Sequence, residues 1–293
     1  MLLYKFIINR IYITLFMKED FFILNSFSKF LEISGEDTAE FLQGLISNDI
    51  YKCKSDTPIY SCMLSPQGKF LADFFIIQES DKYLIEIHEK YLESFITKIQ
   101  IYKLRSKVDI IENEKICSII LFSKENIHLD NIIKSFADPR NENIGHKIYI
   151  DKNELKKINN MKTEPYETYK EILMKNLVPN STDDLIVDKS LLLENNFDNL
   201  NAIDWDKGCY VGQEITARMK YRALLKKQVY SLKIVKGEIN INDDIILDEI
   251  NYGKVISKVN QYILCMLKIE LVEKTLNNKE NFEINNSIIL KIL

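Results

Sequence analysis

An α+β fold that ends in a small β-barrel is what this sequence predicts, and two observations carry the prediction. Up to about residue 225, segments patterned for strand and for helix alternate irregularly. From Lys226 onward the pattern changes to short β-prone pieces separated by Gly237, Asn242-Asp243-Asp244 and Asn251-Tyr252-Gly253.

Taken in order, Phe22-Ile23-Leu24 is where a first strand is expected, and Phe27 to Ile33 alternates as a second. Gly35-Glu36-Asp37-Thr38 then opens a helix carrying Ala39, Phe41, Leu42 and Leu45, with Asp37 as its expected N-cap. Ile59 to Leu64 and Phe70 to Ile77 read as a hairpin joined by Ser65-Pro66-Gln67-Gly68, with Pro second and Gly fourth as a type I turn prefers. Tyr83 to Ile87 is a further strand. Leu92, Phe95, Ile96 and Ile99 share one face of a helix over Tyr91 to Tyr102. Val108 to Ile111 and Ile116 to Phe122 return to strand, Asp138-Pro139-Arg140 with Asn141 to Gly145 reads as loop, and Glu164 to Met174 as helix. The first sixteen residues are apolar with Lys5 and Arg10 interspersed. They lack the charge order and small-residue end of a secretory signal, and are too short and interrupted to span a membrane. We expect residues 1–16 to be an extension outside the core, with Met17 as an alternative start.

With 293 residues the chain can bury a core without staples. Its 39 basic and 43 acidic residues give a net charge of −4, which offers nucleic acid no general attraction. The five cysteines, Cys53, Cys62, Cys117, Cys209 and Cys265, have wide spacings and no Cys-x-x-Cys pair. That suits a reducing compartment and gives neither a disulfide framework nor a local zinc or iron–sulfur motif. His88, His128 and His146 lack metal-ligand spacing and are expected at the surface, and no metal site is predicted.

The most specific segment is Lys207-Gly208-Cys209-Tyr210-Val211-Gly212-Gln213-Glu214, which gathers two of the eight glycines around one cysteine just before a helical run. Cationic neighbours and helix N-termini favour thiolate over thiol, so Cys209 is the candidate reactive group and Lys207 the cation that would tune it. The competing reading is a small buried hydrophobe beside a turn. Glu214 and Arg218, four apart on a helix, suit either a ligand contact or a surface ion pair. Arg218, Lys220 and Arg222 form a compact basic group that suits a carboxylate tail, a phosphate or simply solvent. Trp205 could line a pocket or fill the core. Asp73 interrupts the apolar run Leu71 to Ile77, and burying that carboxylate unpaired is costly, so it should face a polar cleft or a donor. An edge strand facing water would also accommodate it.

The octapeptide and its flanks resemble the signature of the folate-binding YgfZ family, relatives of the glycine-cleavage T-protein. Three further segments are similar in order and spacing: Gln43-Gly44-Leu45-Ile46-Ser47-Asn48-Asp49, Pro66-Gln67-Gly68-Lys69, and Glu194-Asn195-Asn196-Phe197-Asp198. The resemblance covers roughly residues 21–293. It implies a T-protein-like ring of three parts, with a folate-binding α+β region of two intertwined subdomains over 17–225 and a C-terminal β-barrel over 226–293. It further implies tetrahydrofolate or a derivative as cofactor, contacted by Asp73, Asn48, Trp205, Gln213, Glu214 and Arg218, with Cys209 and Lys207 as the reacting pair. The implied partners are iron–sulfur client enzymes, tRNA methylthiolases among them, or cluster carriers. A monomer without membrane or direct nucleic-acid contact is expected, in the cytoplasm or, in a eukaryote, the mitochondrial matrix. The sequence departs from the family where Leu173 to Pro179 lacks its usual Arg and Gly, and where Ala223 replaces a Gly. Two other functions compete: a folate-dependent aminomethyltransferase using Asp73, and an RNA-binding adaptor using Arg218, Lys220 and Arg222.

Overall fold

The computed structural model describes residues 20–123, 132–158, 161–222, 224–276, 281–284 and 288–293. The expected extension over 1–16, His128 and Ala223 lie outside the described residues.

Three sheets organise the chain. The first is antiparallel, in the order β3-β4-β5-β2-β6, from β2 (Ser28–Ser34), β3 (Ile59–Leu64), β4 (Phe70–Glu79), β5 (Lys82–His88) and β6 (Asp109–Glu112). The hairpin of β3 and β4 forms as the sequence predicts, closed by Gly68 N–H donating to Ser65 O at 2.8 Å. One face of this sheet, carrying Phe74, Ile76, Ile85 and Ile87, joins the largest core together with Phe95 and Ile99 of α2 (Glu89–Lys103). The preceding helix, α1 (Thr38–Gln43), is shorter than its pattern suggests. Asp37 makes no side-chain cap; its carboxylate instead accepts from Lys107 N at 2.6 Å, joining the start of α1 to the stretch before β6. His88 caps α2 in its place, its Nδ1 accepting from Lys90 N at 3.0 Å.

The second sheet, in the order β10-β1-β7-β9-β8, contains β1 (Phe21–Asn25), β7 (Ile116–Phe122), β8 (Ile132–Ala137), β9 (His146–Asp151) and β10 (Lys162–Thr163). The last three strands are not visible as pattern in the sequence. A small apolar cluster of Phe30, Leu84, Phe136 and Tyr149 packs the first sheet on the second. The helices α3 (Tyr166–Lys175) and α4 (Ser181–Asp184) follow.

After α5 (Gln213–Tyr221), the C-terminal sheet runs β12-β13-β14-β11-β16-β15, from β11 (Lys227–Lys236), β12 (Asp244–Leu247), β13 (Ile250–Val259), β14 (Tyr262–Lys268), β15 (Asn281–Ile284) and β16 (Ile288–Ile292). The expected barrel is corrected here. The sheet curls into a half-barrel, but β12 and β15 remain as two edges, with no ladder between them among the described residues. The helix α6 (Ile269–Leu276), unforeseen in the sequence, packs its buried Val272 into this sheet's core. Met174 of α3 meets Val229, Tyr262 and Leu264, which ties the C-terminal sheet to the rest. No helix among the described residues is long and apolar enough to cross a membrane.

Candidate functional site

Lys207 to Gly212 form a loop that leads directly into α5. Its mount is the segment after α1. Lys207 Nζ donates to the carbonyls of Gln43, Ile46 and Asn48 at 2.8, 2.7 and 2.8 Å, and lies 4.9 Å from the Tyr210 ring centroid. An ammonium has three N–H donors, and here all three are used inside the protein. Burial pushes this ammonium down to about 8, with Asp49 and Asp204 opposing, so it is charged at neutral pH. The expected electrostatic neighbour of Cys209 is thus placed as a clamp on backbone carbonyls.

Further bonds complete the mount. Val211 N donates to Gly44 O at 3.0 Å, Asp204 N to Ser47 O at 3.1 Å, and Ser47 Oγ to Ala202 O at 2.6 Å. Asn48 Nδ2 donates to Tyr60 O and Asn201 O, both at 2.8 Å. Asn48 therefore spends its amide on structure beneath the loop. Gly212 has φ +83°, and a Cβ there would sit 2.4 Å from Ser65 O and 2.8 Å from Leu64 Cβ. The loop thereby seats on the turn of the β3–β4 hairpin. We expect Gly212→Ala to destabilise the protein by about 2–4 kcal/mol in urea unfolding, from the left-handed backbone and the overlap together.

Cys209 is exposed, whereas Cys53, Cys62, Cys117 and Cys265 are buried, and burial pushes each of those four thiols above its ordinary value. One thiol therefore faces solvent on a rigid mount. Around it, Gln213 opens α5, and Arg218 donates to Glu214 at 2.6 Å in an exposed ion pair one turn apart. Such a pair contributes about 0–1 kcal/mol, which fits the plain surface reading. Lys220 pairs with Asp198 at 3.2 Å and lies 5.1 Å from the Trp205 ring centroid. Trp205 is half-buried, edge-on to Tyr221 at the rim of the core.

Asp73 lies elsewhere. It lines a cleft with Glu86, His88, Arg140, Lys147 and Tyr166, a cleft to which no octapeptide residue contributes. The sequence argument that it should meet a donor holds, since Tyr60 Oη donates to Asp73 Oδ2 at 2.6 Å. Two buried ion pairs form the floor. Glu86 accepts from Lys147 Nζ at 2.9 Å, from Tyr149 Oη at 2.8 Å and from Ser28 Oγ at 2.5 Å. Burial alone would push the Glu86 carboxyl up, but Lys147 with these two hydroxyls more than offsets it and holds it below its ordinary value. Arg140 donates through Nε and Nη2 to both oxygens of Asp138, at 2.9 and 2.7 Å, and through Nη2 to Tyr169 Oη at 2.9 Å.

His88, expected at the surface, lines the cleft instead, and burial pushes its imidazole below the ordinary value; His146 is exposed as expected. Glu86 and Lys147 were missed as functional candidates, although each is a charge inside an apolar strand, the same signal that singles out Asp73. Arg140 gave no such signal, because it sits in a loop.

Tetrahydrofolate does not fit this cleft. Its free volume is about 60 Å³, against roughly 300–1,000 Å³ for pockets that take small organic ligands. The ring of Phe75, which lines the cleft, is covered by the Arg140 guanidinium at 4.9 Å and by Lys147 at 4.3 Å, and Arg140 also lies 5.2 Å from the ring of the buried Tyr60.

No family model matches the chain. Among curated relatives, the iron–sulfur cluster assembly factor IBA57 homolog, mitochondrial, of Mycosarcoma maydis is 32% identical over 221 residues, covering 69% of this chain and 54% of that protein. The IBA57 homolog of Dictyostelium discoideum is 24% identical, covering 86% of this chain and 74% of its own length. Mouse IBA57 is 22% identical over 70% of this chain and 63% of its own. The chain thus spans about half the length of the first relative. Among solved structures, the glycine cleavage system aminomethyltransferase T of Bartonella henselae superposes with a TM-score of 0.71 over 94% of this chain and 85% of that one, at 11% identity. The fold is therefore that of the aminomethyltransferase, and the relatives in sequence are iron–sulfur cluster assembly factors.

Proposed function

We propose that this chain is an accessory factor in iron–sulfur cluster assembly or repair, and that the thiol of Cys209 is the group it presents to a cluster or its carrier. The observation that carries the reading is one exposed cysteine on a clamped loop, with the other four buried, in a chain whose relatives are assembly factors. Thiolates are the usual ligands of iron–sulfur clusters, and a cluster takes four. A single exposed thiol cannot build that scaffold alone, so the remaining ligands must come from the partner. The clients are [4Fe–4S] enzymes, with tRNA methylthiolases as one class. The relatives' names support the mitochondrion as the place of action, and we place the chain in its matrix. Tetrahydrofolate binding is left out of this reading, because the cleft at Asp73 has no room for the ring.

The competing readings are less well supported. An aminomethyltransferase would need its folate in that cleft, and the likeness to the Bartonella enzyme is one of fold. An RNA adaptor would need Arg218, Lys220 and Arg222 for phosphates, and the first two are already paired with carboxylates. The test is complementation of a strain lacking the chain's counterpart. Wild type should restore [4Fe–4S] enzyme activity and Cys209→Ser should not, at equal protein level. Full restoration by the serine variant would reject the thiol's role.

A further inference from the structure

The cofactor cleft that comes with this fold has been converted into a structural joint, and we infer that this chain works without a bound folate. Three observations lead there, and the role of Cys209 rests on none of them. The first is room: about 60 Å³ admits roughly four water molecules, at about 15 Å³ of probe volume each. The second is what covers the aromatic ring in the cleft and the one behind it. Arg140 lies over both Tyr60 and Phe75, and it cannot swing aside as a free side chain would, because Asp138 and Tyr169 hold three of its N–H contacts. Lys147 lies over Phe75 and is held by Glu86.

The third is where these ions stand. Lys147 belongs to β9 of the second sheet and Glu86 to β5 of the first, so their pair joins the two sheets, and Tyr149 adds a second bond across the same boundary. Arg140 reaches from the loop after β8 to α3 through Tyr169 and to the first sheet through Tyr60 and Phe75. All four ions are buried, with Glu86, Asp138 and Lys147 at 3, 3 and 2% exposure and Arg140 at 9%. Admitting a pterin would mean separating a buried, hydrogen-bonded pair and leaving its charges unmatched, a cost no solvent-exposed pocket carries. The Asp73 carboxylate, which the resemblance assigns to the pterin, already has one oxygen bonded to Tyr60.

The experiment is calorimetric titration of the full chain, folded by circular dichroism, with tetrahydrofolate and with 5-formyltetrahydrofolate, each up to about 1 mM. The expected result is no saturable binding, or weak binding that Asp73→Asn leaves unchanged and that therefore lies outside the cleft. Saturable binding with a Kd below about 100 µM, weakened tenfold or more by Asp73→Asn, would overturn the inference. Neither outcome bears on whether Cys209→Ser complements, so this inference and the assembly reading stand or fall separately.

Discussion

Replacing Lys207 with methionine is expected to lower stability by about 3–9 kcal/mol, because three carbonyls lose their donors together and each unsatisfied group costs about 1–3 kcal/mol. Methionine keeps most of the stem's bulk, so the loss measures the clamp rather than a cavity. The carbonyls belong to Gln43, Ile46 and Asn48, about 160 residues away in sequence, and the loop before α5 has few other ties to them. Urea unfolding followed by circular dichroism gives the value directly. A loss under about 1 kcal/mol would mean that water replaces the ammonium at the carbonyls and that Lys207 has another task.

Breaking the Glu86–Lys147 pair should be comparably severe. Lys147→Met leaves a buried carboxylate without its cation, and removing one partner of such a pair costs about 3–5 kcal/mol. The pH dependence identifies the cause. In the wild type the folded-state carboxyl is held below its unfolded value, so this contribution to stability is present above the unfolded value and is lost as pH falls through the folded one. Without Lys147, burial raises the carboxyl instead, and acidification protonates it in the folded state. The deficit of the variant against wild type should therefore be largest at about pH 7 and shrink toward about pH 4. Urea unfolding at both values tests this, and a deficit independent of pH would assign the loss to packing. Because paired ions are dispensable as a unit, Glu86→Gln combined with Lys147→Met should recover much of the loss.

The first sheet was legible in the sequence because β3, β4 and β5 are long runs of β-branched, aromatic and other apolar residues bounded by turn residues. In β9 the signal fails because its apolar run is only Ile148 to Ile150, flanked by His146-Lys147 and Asp151. The helix α6 is short and lies between β-prone segments that hide it, although Ile269, Val272 and Leu276 recur at helical spacing and Val272 is buried against the C-terminal sheet. The barrel expectation failed for a related reason. Closure depends on whether β12 and β15 pair, and composition near each strand does not encode that choice. At the site, the glycines and the cysteine of the octapeptide announced themselves. The task of Lys207 did not, because its partners are supplied by a distant segment. Nor did the filling of the cleft, since Arg140 becomes a plug only when the loop after β8 meets Tyr60, Phe75 and Tyr169.

The thiol's part in cluster delivery is tested most directly with purified components under anaerobic conditions. A carrier loaded with a cluster is mixed with an apo [4Fe–4S] enzyme, and the activity recovered is measured with wild-type protein, with Cys209→Ser and with neither. The exposed thiol makes no fold-stabilising contact, so the serine variant should unfold within about 0.5 kcal/mol of wild type. Wild type should raise the recovered activity, and the serine variant should give no more than the mixture lacking it. Equal activation by the two proteins would contradict the thiol's part in delivery.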